Sequence, residues 1–147
     1  PGLPVTLNVR VGSVLSLLWS ATGRVFLAYL DDSRVEELAH AELAGISEAQ
    51  RATLDAVDPI AALKRQVRAT GMAIVRDTNL QGISAIALPA FDFSDHLAAV
   101  ITVLGATGSF DTEPDGRVAR ALQAESAAIS RALGHRIDES PARTPTP

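Results

Sequence analysis

The chain has 147 residues, 47% of them hydrophobic and 20% charged, the make-up of one globular domain with its own core. It carries a formal net charge of −4 and no cysteine. That excludes disulfides, cysteine nucleophiles and thiolate metal sites, and it argues against a chain that holds DNA by itself. No apolar run approaches the roughly 20 residues that span a bilayer, and no signal peptide is visible, so no membrane contact is expected, and the absence of cysteine fits a cytoplasmic protein. The first residue is Pro1 rather than Met, as in a fragment or a processed chain.

Val5, Leu7, Val9 and Val11 alternate with Thr6, Asn8 and Arg10, the period of a strand with one wet face. Gly12 and Ser13 interrupt it, and a second apolar run fills residues 14–19. Ser20 is placed to cap a helix over residues 21–30. Ser33 and Glu36 have capping-box spacing ahead of Val35, Leu38, Ala39 and Leu43, an apolar face at helical spacing. Ser47 and Gln50 repeat the pattern for a short helix over residues 48–57. The next helix has the clearest ends: Asp58 as N-cap, Pro59 at the first helical position and Gly71 just past the last. Ile60, Leu63 and Val67 form its buried face, and Lys64, Arg65 and Arg68 its wet one.

Residues 71–111 then hold three strand-length apolar runs, at 72–75, 83–88 and 97–104, separated by turn-prone linkers. This predicts an antiparallel meander, its last strand too apolar to be half-exposed. Pro89 suggests an edge or a bulge. A final helix is expected over residues 113–133, capped by Thr112 and ended by Gly134, with Val118, Leu122, Ile129 and Leu133 on one face. Arg117, Arg120 and Arg131 lie on its polar side among Glu113, Asp115 and Glu125, a solvated mixed-charge face. The proline-rich tail, 135–147, is expected to be disordered. Strands cluster and helices cluster, so the fold class is α+β with an antiparallel sheet.

Other signals point to structure rather than chemistry. His40, His96 and His135 lack metal-ligand spacing and are read as surface residues, so no cofactor or metal is expected. GATGSF at 105–110 lacks the lysine of a phosphate-binding loop and reads as a turn. Asp92 and Asp95 read as turn residues and Trp19 as core. No nucleophile, base and orienting group cluster in the sequence, so an enzyme is not expected.

SATGRVFLAYL at residues 20–30 resembles the ATA-G-RA-LAYL helix start of the IclR family of bacterial transcriptional regulators. RQVRATGMAIVRDTNLQGISAIALPAFD at 65–92, LAAVITVLGATGSFD at 97–111 and AESAAISRALG at 124–134 resemble that family's later strands and final helix, in the same order and spacing. The resemblance implies the C-terminal effector-binding domain, a GAF-like curved antiparallel sheet flanked by helices, spanning residues 1–134 and lacking its first helix and opening strands. It implies a small-molecule effector, often a carboxylate or aromatic acid, a homodimer or homotetramer, and DNA contact only through a separate N-terminal winged helix-turn-helix. The alternative is a free-standing GAF-like sensor module.

The resemblance also implies where the effector sits. The helix start at Ala21, Thr22 and Gly23 would face it, and unpaired N–H groups there favour a carboxylate. Family pocket positions on the strands fall on Val75, Ala85, Thr102 and Leu104. Three of these four are apolar here, where acidic, small polar or serine-like side chains are usual. This implies an effector larger and more apolar than a two- or three-carbon acid.

Overall fold

A computed structural model describes residues 10–78 and 81–136. The expected strand at Val5, Leu7 and Val9 and the tail from residue 137 lie outside the described residues, and Val11 is exposed in a turn. In chain order the described elements are α1 (Ala21–Tyr29), α2 (Ser33–Ala44), α3 (Glu48–Arg51), α4 (Pro59–Thr70), β1 (Ala73–Arg76), β2 (Ile83–Phe91), β3 (Leu97–Ala106) and α5 (Arg117–Ala132). Helices, then one antiparallel meander, then a helix make the α+β class that the pattern of runs predicts.

Local chemistry sets most helix ends. Ser20 caps α1 by accepting from Gly23 N at 2.9 Å. Ser47 and Gln50 form a complete capping box at α3. Asp58 accepts from Ala61 N at 3.0 Å, Pro59 opens α4, and Gly71 closes it at φ 71°, a left-handed value that glycine adopts at little cost.

Elsewhere the ends differ from the sequence expectation. Asp32, not Ser33, caps α2, because its carboxylate takes both the N–H and the guanidinium of Arg34. α3 stops at Arg51 rather than running to residue 57; Asp55 turns the chain by accepting from Val57 N and Asp58 N. α5 begins at Arg117 rather than residue 113. Gly116 is its N-cap and brings no side chain; Asp111 instead accepts from Glu113 N and from Arg117 N at the first helical position, while the Thr112 hydroxyl accepts from Arg76 Nε.

β2 is the central strand, antiparallel to β1 on one side and β3 on the other. The register aligns Val75, Ala85 and Leu104 in one row across the sheet, and Ala73, Ala87 and Thr102 in the next. These rows face α1, with α4 packed behind it: Ala21, Val25, Ala28 and Val67 share a core with Ala73, Val75, Ala85 and Ala87. The opposite face carries Ile86 and Leu88 against Ala119 and Leu122 of α5. β2 is therefore covered on both sides, as its apolar run requires. Pro89 fits within it because β1 ends opposite Ala87, so no strand needs the missing N–H; a register shift follows at Ala90 and Phe91.

β3 overturns one expectation. It is as apolar as a doubly covered strand, yet Val103 is 37% and Leu104 40% exposed. Position explains this: among the described residues its outer edge has no partner strand. His135 likewise departs from a plain surface residue. Its ring packs on Phe91, with centroids 5.5 Å apart, and Nδ1 lies 3.0 Å from Asp95 Oδ1. Asp92 and Asp95 are turn residues as expected, Asp92 accepting from Ser94 N and His96 N.

Candidate functional site

The start of α1 is held from three directions. The Ser16 hydroxyl donates to Glu42 of α2 and accepts from Trp19 N, and the second Glu42 oxygen accepts from Leu17 N at 2.9 Å. Ser20 Oγ donates to Ser16 O at 2.6 Å while capping Gly23. Thr78, between β1 and β2, donates to Trp19 O at 3.0 Å. These bonds press the 16–17 backbone against α1. A Cβ on Gly23 would sit 2.0 Å from Ser16 O and 2.7 Å from Leu17 Cα. The space beside Gly23 is thus filled by the chain's own backbone, which is why glycine stands there.

The residues singled out from the sequence come together on one side of the sheet. Val75, Ala85 and Leu104 form one row and Thr102 belongs to the next, under the start of α1. Thr22 Oγ1 and Thr102 Oγ1 are 2.7 Å apart, a hydrogen bond that ties α1 to β3 across 80 residues of chain. Ala21, Val75 and Ala85 are 1%, 5% and 8% exposed, so the middle of this contact is close-packed core. Leu104 lies at its open rim.

The two sheet rows are apolar apart from Thr102, and no titratable side chain stands in either. Among the described residues the N–H groups of Ala21 and Thr22 find no acceptor, so the positive end of α1 lies beside the Thr22 hydroxyl. The arrangement offers hydrogen-bond donors for an anionic head next to apolar walls. It offers no general base or nucleophile, and among the described residues no group of three or more His, Asp or Glu could hold a metal ion.

Sequence reasoning missed the clamp formed by Glu42, Ser16 and Thr78. Glu42 looks like any solvated helix residue, and its partners are 25 and 26 positions away. Thr78 acts on Trp19 across 59 positions. Nothing in the spacing of these residues signals the contact; only the packing of α2 and the β1–β2 turn against the start of α1 creates it.

The family model described as "Bacterial transcriptional regulator IclR C-terminal" matches residues 3–131. The chain belongs to the IclR family. Among curated proteins, it is 31% identical over 100 residues to the Pca regulon regulatory protein of Pseudomonas putida, a match covering 67% of this chain and 33% of that one. It is 26% identical over 126 residues to the transcriptional regulator XynR of Escherichia coli, covering 86% of this chain and 49% of that one. Among solved structures, Pseudomonas aeruginosa HmgR superposes with a TM-score of 0.75 at 37% identity, over 95% of this chain and 53% of HmgR. The Agobacterium tumefaciens repressor BlcR shares the fold at TM-score 0.67 and 21% identity, over 88% of this chain and 51% of that one.

This IclR-family chain therefore spans half or less of the curated relatives it matches. The relatives named are transcriptional regulators, and the matched region is the C-terminal one. No described helix is long and apolar enough to cross a membrane.

Proposed function

We propose that this domain is the effector sensor of an IclR-type regulator. Its ligand is a small carboxylic acid with an apolar or aromatic body. The carboxylate binds at the N–H groups of Ala21 and Thr22 and the Thr22 hydroxyl; Val75, Ala85 and Leu104 flank the body, and Thr102 completes the polar end. The supporting observation is the 2.7 Å Thr22–Thr102 hydrogen bond, a polar latch between the start of α1 and β3 beside the apolar row of Val75, Ala85 and Leu104. An acid entering from the Leu104 rim parts the two hydroxyls and takes over the Thr22 donor. A short hydrophilic acid gains little there, because polar ligand atoms facing Val75 and Ala85 would lose about 1–3 kcal/mol per unmade hydrogen bond.

The domain acts by linkage. Binding displaces α1 from β3, one arrangement of a homodimer or homotetramer is favoured, and operator affinity changes in a separate N-terminal winged helix-turn-helix. The effect requires that the acid bind the two arrangements with different affinity. The working compartment is the cytoplasm, where such a regulator meets both effector and DNA.

A thermal-shift series of aromatic, alicyclic and two-carbon acids tests the reading. A ligand at a hundred times its Kd stabilises by about 2.7 kcal/mol. Stabilisation by an aromatic or alicyclic acid is expected, and its loss in Thr22→Val. Stabilisation by glyoxylate-sized acids alone would refute the ligand class, and aromatic binding unchanged in Thr22→Val would refute the site.

A further inference from the structure

Two residues beyond Thr22 on α1, Arg24 occupies an unusual position. It is half-buried, and burial holds its guanidinium below the ordinary arginine range. Its Nε donates to Leu18 O at 2.8 Å. Among the described residues no carboxylate lies within ion-pair distance of it. A desolvated cation without a counter-charge is costly, and the cost falls when an anion is brought beside it.

A cleft of about 160 Å³ is lined by Arg24, by Gln66, Val67 and Thr70 of α4, and by Met72, Ala73 and Ile74 at the start of β1. At roughly 30 Å³ per water, it has room for about five waters or one small oxyanion. The β1 side supplies a backbone donor. Asp77 N donates to Ile83 O at 3.0 Å, so in this antiparallel ladder Asp77, Val75 and Ala73 bond to β2. The N–H of Ile74 then points away from β2, at an edge that pairs with no other strand among the described residues. Gln66, exposed on α4, adds a carboxamide to the lining of the cleft. The Thr70 hydroxyl is already used, donating to Met72 O at 3.1 Å.

We infer that this cleft is a second binding site, distinct from the Thr22–Thr102 latch, for one small oxyanion group, a carboxylate or a phosphate. The Arg24 guanidinium makes charge-assisted bonds to it, and the Gln66 carboxamide and Ile74 N–H complete its shell. The site draws on neither Thr22 nor Thr102, so it stands or falls separately from the effector reading.

Inorganic phosphate and acetate are the probes, titrated by isothermal calorimetry and by the NMR shift of the Ile74 amide, at ionic strength matched with chloride. Saturable binding of either probe is expected, and which of them binds identifies the chemistry of the natural group. Arg24→Gln is expected to weaken it at least tenfold and Gln66→Leu severalfold, with acid binding at the latch unchanged in Gln66→Leu. Arg24→Gln also removes the bond to Leu18 and could impair folding. Phenylglyoxal modification of Arg24 in the wild-type protein, read by peptide mass spectrometry, therefore gives an independent measure, and the bound anion should slow it. No saturable binding of either probe, binding that survives Gln66→Leu and Arg24→Gln undiminished, or Arg24 modification indifferent to the anion would overturn the assignment.

Discussion

Gly23→Ala separates a structural reason for glycine from a ligand-binding one. In a free helix, alanine in place of glycine stabilises by about 1 kcal/mol. In this chain the added Cβ meets Ser16 O at 2.0 Å, and real Cβ contacts essentially never fall below 3.0 Å. The 16–17 backbone must therefore retreat by about 1 Å. It is held by Glu42, which accepts from the Ser16 hydroxyl and from Leu17 N, and by Ser20 Oγ on Ser16 O. Overpacking against fixed backbone costs roughly 1–3 kcal/mol. Weakening one charge-assisted bond to Glu42 adds about 1.5–3 kcal/mol. After the helix preference is offset, the net loss is about 1.5–5 kcal/mol. Urea unfolding followed by circular dichroism should show this as a lower midpoint with an unchanged slope. An alanine variant as stable as the wild type, or more so, would refute the clamp. Unchanged stability together with lost acid binding would return Gly23 to a role in contacting ligand.

Two further outcomes are expected. Asp111→Ala removes the acceptor of the first α5 N–H, that of Arg117, and should cost about 0.5–2 kcal/mol in the same assay, whereas Thr112→Ala leaves that bond intact; a larger loss in Thr112→Ala would contradict the assignment. On the acid side, backbone hydrogen bonds from Asp58 and Val57 hold the Asp55 carboxyl below its ordinary range, and a hydrogen bond from Lys64 does the same for Glu36. A depressed folded-state pKa contributes stability that is present above the unfolded value and lost as pH falls through the folded one. The urea midpoint should therefore drop below about pH 4, and drop less in Asp55→Asn. An equal drop in the variant would remove Asp55 from the account.

The elements legible in advance share one property: their determinants lie within a few residues of each other. Asp58, Pro59 and Gly71 bound α4, and Ser20 caps α1, because caps act over three or four positions. The misplaced start of α5 shows where this fails. Thr112 is a sound local candidate, but Arg76, 36 positions earlier, takes its hydroxyl, the N-cap falls on Gly116, and Asp111 accepts the first helical N–H. The candidate site was legible as a set of positions through a family pattern that ties the start of α1 to the strands. Its geometry was not, since the Thr22–Thr102 bond spans 80 positions.

By itself the sequence determined the order of the described elements, the α+β class, the family and most of the helix ends, because periodicity and capping are short-range properties of the chain. Tertiary structure alone decided which apolar strand is buried. β2 and β3 are similar in composition, yet only β2 lies between two helices and two strands. It also decided why Gly23 is glycine, what Glu42 holds, and that Arg24 faces a cleft without a counter-charge. Those are facts about which distant atoms share a space, and local spacing carries no record of that.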